Sequence, residues 1–381
     1  MIAIDFARAP VPDLHAILAE RRRAGPVVPA TYHGRSAWLT TTHAVTRAAL
    51  ADEDRFPSAG IQESLVGPTL QSMVGRNHRR HRALIASAFT PRSVDGQRIE
   101  LLEPIAHELI DGLADRSSFD VVEEFAHRYP ALVISRMLGI PVHDESVFLE
   151  WGMDLFLFPW KPAQATASWR AFRDYLRPIV GVRRADPGPD LLSALVRAEL
   201  DGERLSDDEV FSFLANLYPA GADTAYKAIA SMMASVLADP VLSERARAEP
   251  GLREAIADEA LRHEAPVALL PRQAARDCEV AGARVGAGEI VLIGITAANR
   301  DPDVFVEPDR FDPDRRGLEK SLVFGHGPHF CLGAQLARTE LRVALAALVE
   351  RFPRIRLTEP GEIASIGAIL RGPKRVVVRV D

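Results

Sequence analysis

From Phe324 to Gly333 the chain reads Phe-Gly-His-Gly-Pro-His-Phe-Cys-Leu-Gly and then enters a helical apolar pattern. Gly325, Gly327 and Gly333 permit backbone angles and close approaches that side chains forbid. Among them stands Cys331, where a helix is about to begin. Unpaired N–H groups and the positive end of the helix dipole favour a thiolate there. Such a segment demands a fold that fixes a loop at the head of a long helix and keeps space in front of one sulfur.

A lone cysteine has several possible uses. The commonest is a small buried apolar residue. A cysteine nucleophile would take His326 or His329 as its base. Zinc is poorly supported, because no second cysteine lies at ligand spacing. Covalent c-type haem attachment would need C-x-x-C-H, which is absent. Cys278 and Cys331 are the only cysteines, so there is no disulfide framework.

The 381 residues are 47% hydrophobic, enough for a large core. No linker, repeat or low-complexity tract divides them, so one domain over residues 1–381 is expected. The net charge of −6 speaks against nucleic acid as a partner. No apolar run approaches the roughly 20 residues that cross a membrane, and the first residues carry acid and base too early for a signal peptide. A soluble cytoplasmic protein is expected.

Apolar spacings of three and four make the region from about 100 to 265 helical. The clearest stretch is Val210 to Leu237, interrupted by Pro219 and Gly221. Another helix is expected at 12–24, and a third at 332–350. Residues 32–40 suggest a hairpin turning at Gly34, 278–293 short strands around glycines, and 375–380 a strand. Residues 297–316, rich in Asp, Pro and Arg, read as an ordered loop. The fold class is mainly α with a smaller β part.

Phe324 to Arg338 resembles the haem-binding signature of bacterial soluble cytochromes P-450, matching at Phe324, Gly325, Gly327, His329, Cys331, Leu332, Gly333, Leu336, Ala337 and Arg338. Further segments match in family order. Glu259 and Arg262 fit E-x-x-R, and share a helix face. The resemblance implies a structural triad with an arginine from the later Pro-rich segment, here Arg310. Asn299 to Pro302 and Phe311 to Pro313 fit the same loop. His78 and Arg82 fit H-x-x-x-R. Ala220-Gly221-Ala222-Asp223-Thr224 fits the oxygen-activating segment of the long central helix.

This resemblance implies a single-domain cytochrome P-450 fold, with haem between the long central helix and the cysteine loop and helix. It implies non-covalent haem b, with Cys331 as the iron ligand and Phe324 beside it. A thiolate pushes electron density onto iron and favours O–O cleavage. His78, Arg82, Arg272 and His329 would meet the haem propionates, which need charged or hydrogen-bonding partners inside a protein. Ala220 and Gly221 would leave room for dioxygen. Thr224 can hydrogen-bond to the carbonyl of Ala220, opening the helix ladder, and Asp223 can relay protons. Pro219 departs from the pattern; it frees the carbonyl of Ala215 and predicts a sharper kink.

The implied activity is a haem-thiolate monooxygenase that uses O2. Electrons would come from NAD(P)H through a separate ferredoxin and its reductase. A basic face with Arg76, Arg79, Arg338 and Arg342 would suit an acidic donor. The implied substrate is a small apolar or aromatic molecule, met by Leu217, Val267, Leu269 and Ile369 and by the aromatic stretch from Trp151 to Tyr175. That stretch reads equally well as ordinary helix core. A monomer is expected. A peroxygenase, or an oxidative coupling or cyclisation enzyme, would keep the haem and change the reaction. A non-catalytic haem-binding sensor is the reading from a different class.

Overall fold

The computed structural model describes residues 4–8, 10–11, 13–58, 63–141, 145–158, 160–359 and 363–380. Helices form its bulk, and the longest runs from Asp207 to Ala238. Its start is fixed by a capping box. The Ser206 side chain takes the Glu209 N–H, and the Glu209 carboxylate takes the Ser206 N–H. Asp207, Asp208 and Glu209 in the first turn also complement the helix dipole.

Most of this central helix is buried, on nearly all sides. It packs against the helices Arg128–Leu138, Glu145–Asp154, Arg253–His263 and Ala334–Arg351. Such an all-round apolar helix is stable only at the centre of a bundle. Pro219 does not interrupt it: one helix runs through. The buried proline ring packs on Gly152, where an added Cβ would lie 3.4 Å away. The missing side chain of Gly152 makes room for the ring.

A four-stranded sheet flanks the bundle. Its order is Val27–Tyr32, Arg35–Thr40, Ile290–Ile293, Leu270–Gln273. The first two strands form a hairpin that begins at Val27, earlier than the 32–40 read from the sequence, and turns at His33 and Gly34 with both φ positive. The expected short strands appear at Cys278–Val280, Ala283–Val285 and Ile290–Ile293. Pairing of Arg35–Thr40 with Ile290–Ile293 is parallel. The sheet carries Arg272 opposite Val291. The C-terminal strand Val377–Arg379 pairs with Ser118–Asp120 and Arg356–Leu357.

The long loop after Asn299 is ordered by the pair expected there. Glu259 and Arg262 are both fully buried. Their contact is bidentate, Nε to Oε2 at 2.7 Å and Nη2 to Oε1 at 2.8 Å. Arg262 also donates to the carbonyls of Asn299 and Pro308, at 3.0 and 2.7 Å. The third member is not Arg310. The Arg310 side chain is 65% exposed and pairs with Glu307; only its carbonyl faces the pair, accepting from Arg262 at 3.2 Å. Arg315 fills the place, with Nε 3.2 Å from Glu259 Oε1. The loop turns back at Asp312 to Arg315. This directs the Arg315 guanidinium inward, where the carbonyls of Val306, Glu307 and Arg310 satisfy it.

Candidate haem site

The cysteine loop is held by its own backbone. The Cys331 N–H donates to the Phe324 carbonyl at 2.8 Å, and Gly325 N–H to Leu322 at 2.9 Å. Gly325 and Gly327 take φ of 76° and 81°, angles that cost other residues about 1–2 kcal/mol. At Gly327 an added Cβ would stand 2.9 Å from Ala51 Cα, so the loop presses on the helix His43–Ala51. Phe324 is buried, with the Arg338 guanidinium 4.7 Å from its ring centre.

Cys331 is exposed by accessible surface, yet burial pushes its thiol above the usual range. Both hold when the sulfur faces an internal cleft rather than bulk water. The Gly333 N–H and the Arg82 and Arg338 guanidiniums pull the other way. They are the groups that would favour a thiolate once a cation binds it.

Beside this loop the expected polar residues come together. His78 is buried and stacks on His329, ring centres 4.1 Å apart. Arg82 reaches across to the Phe330 carbonyl at 2.7 Å. Burial pushes His329 down to about 3, helped by His78, Arg272 and Arg82. Burial likewise lowers Arg272 to about 10, with Glu53 opposing. His78 Nδ1 and His329 Nε2 are sealed from solvent without a hydrogen-bond partner. Two guanidiniums and orphaned imidazole nitrogens are what an anionic group such as a carboxylate would satisfy.

The central helix leaves one stripe open. Leu217, Gly221 and Thr224 are partly exposed and Ala220 is exposed, while Tyr218, Pro219, Ala222 and Asp223 are buried. Thr224 Oγ1 donates to the Ala220 carbonyl at 2.9 Å, as the sequence led one to expect. Gly221 also serves the packing of the helix behind it. An added Cβ there would stand 3.3 Å from Ile134, so its bareness lets the helix Arg128–Leu138 close in. The small residues on the open stripe are Ala220 and Gly221.

Asp223 turns to the protein side. Its Oδ1 pairs with Lys227 and its Oδ2 is buried without a partner. Lys227 also donates to the Tyr226 hydroxyl at 2.8 Å. The signal for Lys227 was present in the sequence as an acid and a base four apart.

The pocket candidates divide. Val267 and Ile369 are partly exposed, with Val267 bridged to Leu370. Leu269 is fully buried and packs in the core under the hairpin, with Phe6 and Leu14, so it cannot line a pocket. In the aromatic stretch Trp169 and Phe172 are buried, and Phe172 stacks on Phe148 at 4.7 Å. These two are helix core. Trp160 differs: it is exposed and stacks on His33 at 3.7 Å.

The cytochrome P-450 family model matches residues 15–378. The chain belongs to the cytochrome P-450 family. It is 36% identical to the cytochrome P-450 monooxygenase PikC of Streptomyces venezuelae over 395 residues, covering 98% of this chain and 92% of that one. The 6-deoxyerythronolide B hydroxylase of Saccharopolyspora erythraea is 33% identical, with 97% and 96% covered. Among solved structures, the bacillaene polyketide synthase cytochrome P-450 PksS of Bacillus subtilis superposes with TM-score 0.89 at 30% identity, with 97% of each chain covered. This P-450 is accordingly an oxidoreductase, a haem-thiolate monooxygenase using haem b and O2. Among the described residues no helix is long and apolar enough to cross a membrane.

Proposed function

We propose that this P-450 oxidises a C–H bond of a small apolar or aromatic molecule, with electrons delivered by a separate ferredoxin and its NAD(P)H-dependent reductase. The observation that carries the assignment of roles is the open stripe of the central helix, with Thr224 bonded out of the ladder to Ala220. Two relatives are named for tailoring natural products, a 6-deoxyerythronolide B hydroxylase and a cyclomarin C epoxidase. That likeness supports a biosynthetic substrate for this chain.

Cys331 would hold the haem iron, and His78, Arg82, Arg272 and His329 its propionates. When bound, the haem supplies the one-electron and dioxygen chemistry. The chain supplies the rest. Ala220 keeps bulk away from the reacting space. The Thr224 hydroxyl, already accepted by Ala220, can receive a hydrogen bond from a water or substrate oxygen in the groove. Asp223 can leave Lys227, take a proton from solvent and pass it to the Thr224 hydroxyl, which releases its own into the groove. Leu217, Val267 and Ile369 would press on the apolar substrate.

The donor surface narrows relative to the sequence reading. Arg338 is paired with Asp258 at 2.6 Å and Arg342 with Glu254 at 3.3 Å. Arg76 and Arg79 stay exposed and would carry the attraction for an acidic ferredoxin. A cytoplasmic monomer is proposed, since such a donor is a soluble protein.

The test is a substrate-binding spectral screen followed by product analysis. Product formed with NADPH, ferredoxin and reductase supports the reading. Product with peroxide alone, and none with the donor system, would replace it with a peroxygenase. Retention of the Asp223 and Thr224 pair favours the first outcome.

A further inference from the structure

We propose that Gln71 and Asn216 form a polar subsite at the end of the open stripe, and that the substrate is an apolar molecule carrying one neutral hydrogen-bonding group, a hydroxyl or an amide. The inference rests on the monooxygenase reading and names a substrate class for it. Asn216 stands in the central helix among Phe213, Leu214, Ala215 and Tyr218, and only 7% of it is exposed. An amide is a costly choice there. Asn is a weaker helix former than the Leu and Ala beside it, and a buried amide is unfavourable unless its groups are bonded.

Its partner comes from the segment after the short helix Glu63–Val66. That segment is fastened to the central helix one turn earlier, where the Ser212 hydroxyl donates to the Val66 carbonyl. Thr69 and Ser72 then close a turn on each other. The Thr69 N–H donates to Ser72 Oγ at 2.9 Å, and the Ser72 N–H to Thr69 Oγ1 at 3.3 Å. Gln71 lies within this turn, and its Oε1 accepts from Asn216 Nδ2 at 3.2 Å.

One hydrogen bond between two amides leaves half of each unused. The Asn216 oxygen and the Gln71 nitrogen have no partner among the described residues, yet neither is sealed from solvent. Exchanging O and N in both side chains leaves the same result, one open acceptor and one open donor. Ser212, Asn216, Ala220 and Thr224 are spaced by four, so they form one row along the helix. Ala220 and Thr224 belong to the open stripe. Asn216 continues their row about 12 Å from Thr224, at 1.5 Å per residue. The pair therefore tethers the loop and also offers a donor and an acceptor beside the groove. A hydroxyl or an amide answers both at once. Neither side chain is charged, so an ionised group would lie there without a counter-ion from the pair.

The experiment titrates the holoprotein with two matched pairs, adamantane and 1-adamantanol, cyclododecane and cyclododecanol, reading Kd from the substrate-induced Soret shift. The altered protein is the Gln71→Leu/Asn216→Leu double variant, in which neither amide is left unpaired. The ratio of hydrocarbon Kd to alcohol Kd should fall about five- to tenfold in it, the size of one lost hydrogen bond, while the hydrocarbons bind as well or better. A tether alone would weaken both members of a pair alike. An unchanged ratio in both pairs overturns the proposal, and so does an unaltered protein shifted by none of the four compounds. If the double variant does not hold haem, Gln71→Leu is measured in its place, with the same two outcomes. Failure of the monooxygenase reading is separate: the ratio would fall as stated, but the donor system would give no product.

Discussion

Glu259 and Asp223 are both buried carboxylates with a cation one helical turn away, and they are completed in opposite ways. Glu259 is saturated. It accepts from Arg262 twice, from Arg315, and from the Asp312 N–H at 2.8 Å. Asp223 has one oxygen on Lys227 and the other buried with nothing on it. A saturated buried pair can only be broken at high cost. A half-satisfied one has a second arrangement within reach, and a group that must move a proton needs two arrangements. The Glu259 cluster is fastened and the Asp223 pair is left unfinished.

Four substitutions and a pH series would break or sharpen that contrast. The largest effect belongs to Glu259→Ala, which leaves two buried guanidiniums without a carboxylate; about 3–5 kcal/mol should go from unfolding in urea. A loss comparable to a surface change would mean the pair is not a fastening. Next, Asp223→Asn should leave the unfolding midpoint within about 1 kcal/mol. Its rate of product formation should fall about a hundredfold, the low end for a general acid, while substrate binding, read by the spectral shift, stays. A large loss of stability with unchanged coupling would make Asp223 the same kind of group as Glu259.

Arg315→Ala comes third, at about 1.5–3 kcal/mol for a charged hydrogen-bonding group removed from a buried acceptor. Below it lies an acid effect. Burial and Arg300 push His263, next to Arg262, down to about 3. Burial raises Glu264, but His15 and Arg371 bring it down to about 2. Both groups bind fewer protons folded than unfolded. Their contribution is complete above their ordinary values and is lost as pH falls, from 6.5 toward 3 for His263 and from 4.5 toward 2 for Glu264. The urea midpoint should therefore drop between neutral pH and about pH 5, with His263 and the other histidines that burial lowers, such as His329, contributing; a flat profile would contradict it. The smallest effect is Arg310→Ala, within about 0.5 kcal/mol. Equal effects at 310 and 315 would restore the sequence reading of the triad.

That reading shows where a sequence is sufficient. Periodicity found the central helix, the hairpin and the cysteine helix, because each buries a face or a pair of faces along its own length. The loop glycines and the Thr224 to Ala220 bond were legible because their cause is local backbone geometry. Arg315 was not, since the loop path from Pro308 decides which guanidinium turns inward, and Arg310 and Arg315 are equal as letters. Leu269 failed for a related reason: the path of the segment before the strand Leu270–Gln273 decides which side chains turn into the core under the hairpin, and the letters do not give that path. Gly221 was identified correctly as a place without bulk, but its neighbour is Ile134, on a helix that spacing alone cannot put there. Glu53 reaches His329 only through the fold.

The most direct test of the account is the carbon-monoxide spectrum of the reduced protein, compared with that of Cys331→Ala. The unaltered protein should show the red-shifted Soret band of a thiolate-ligated haem, and Cys331→Ala should lose it. A Soret band at the imidazole-type position in the unaltered protein, or an unchanged thiolate band in Cys331→Ala, would contradict the assignment of Cys331 as the haem ligand.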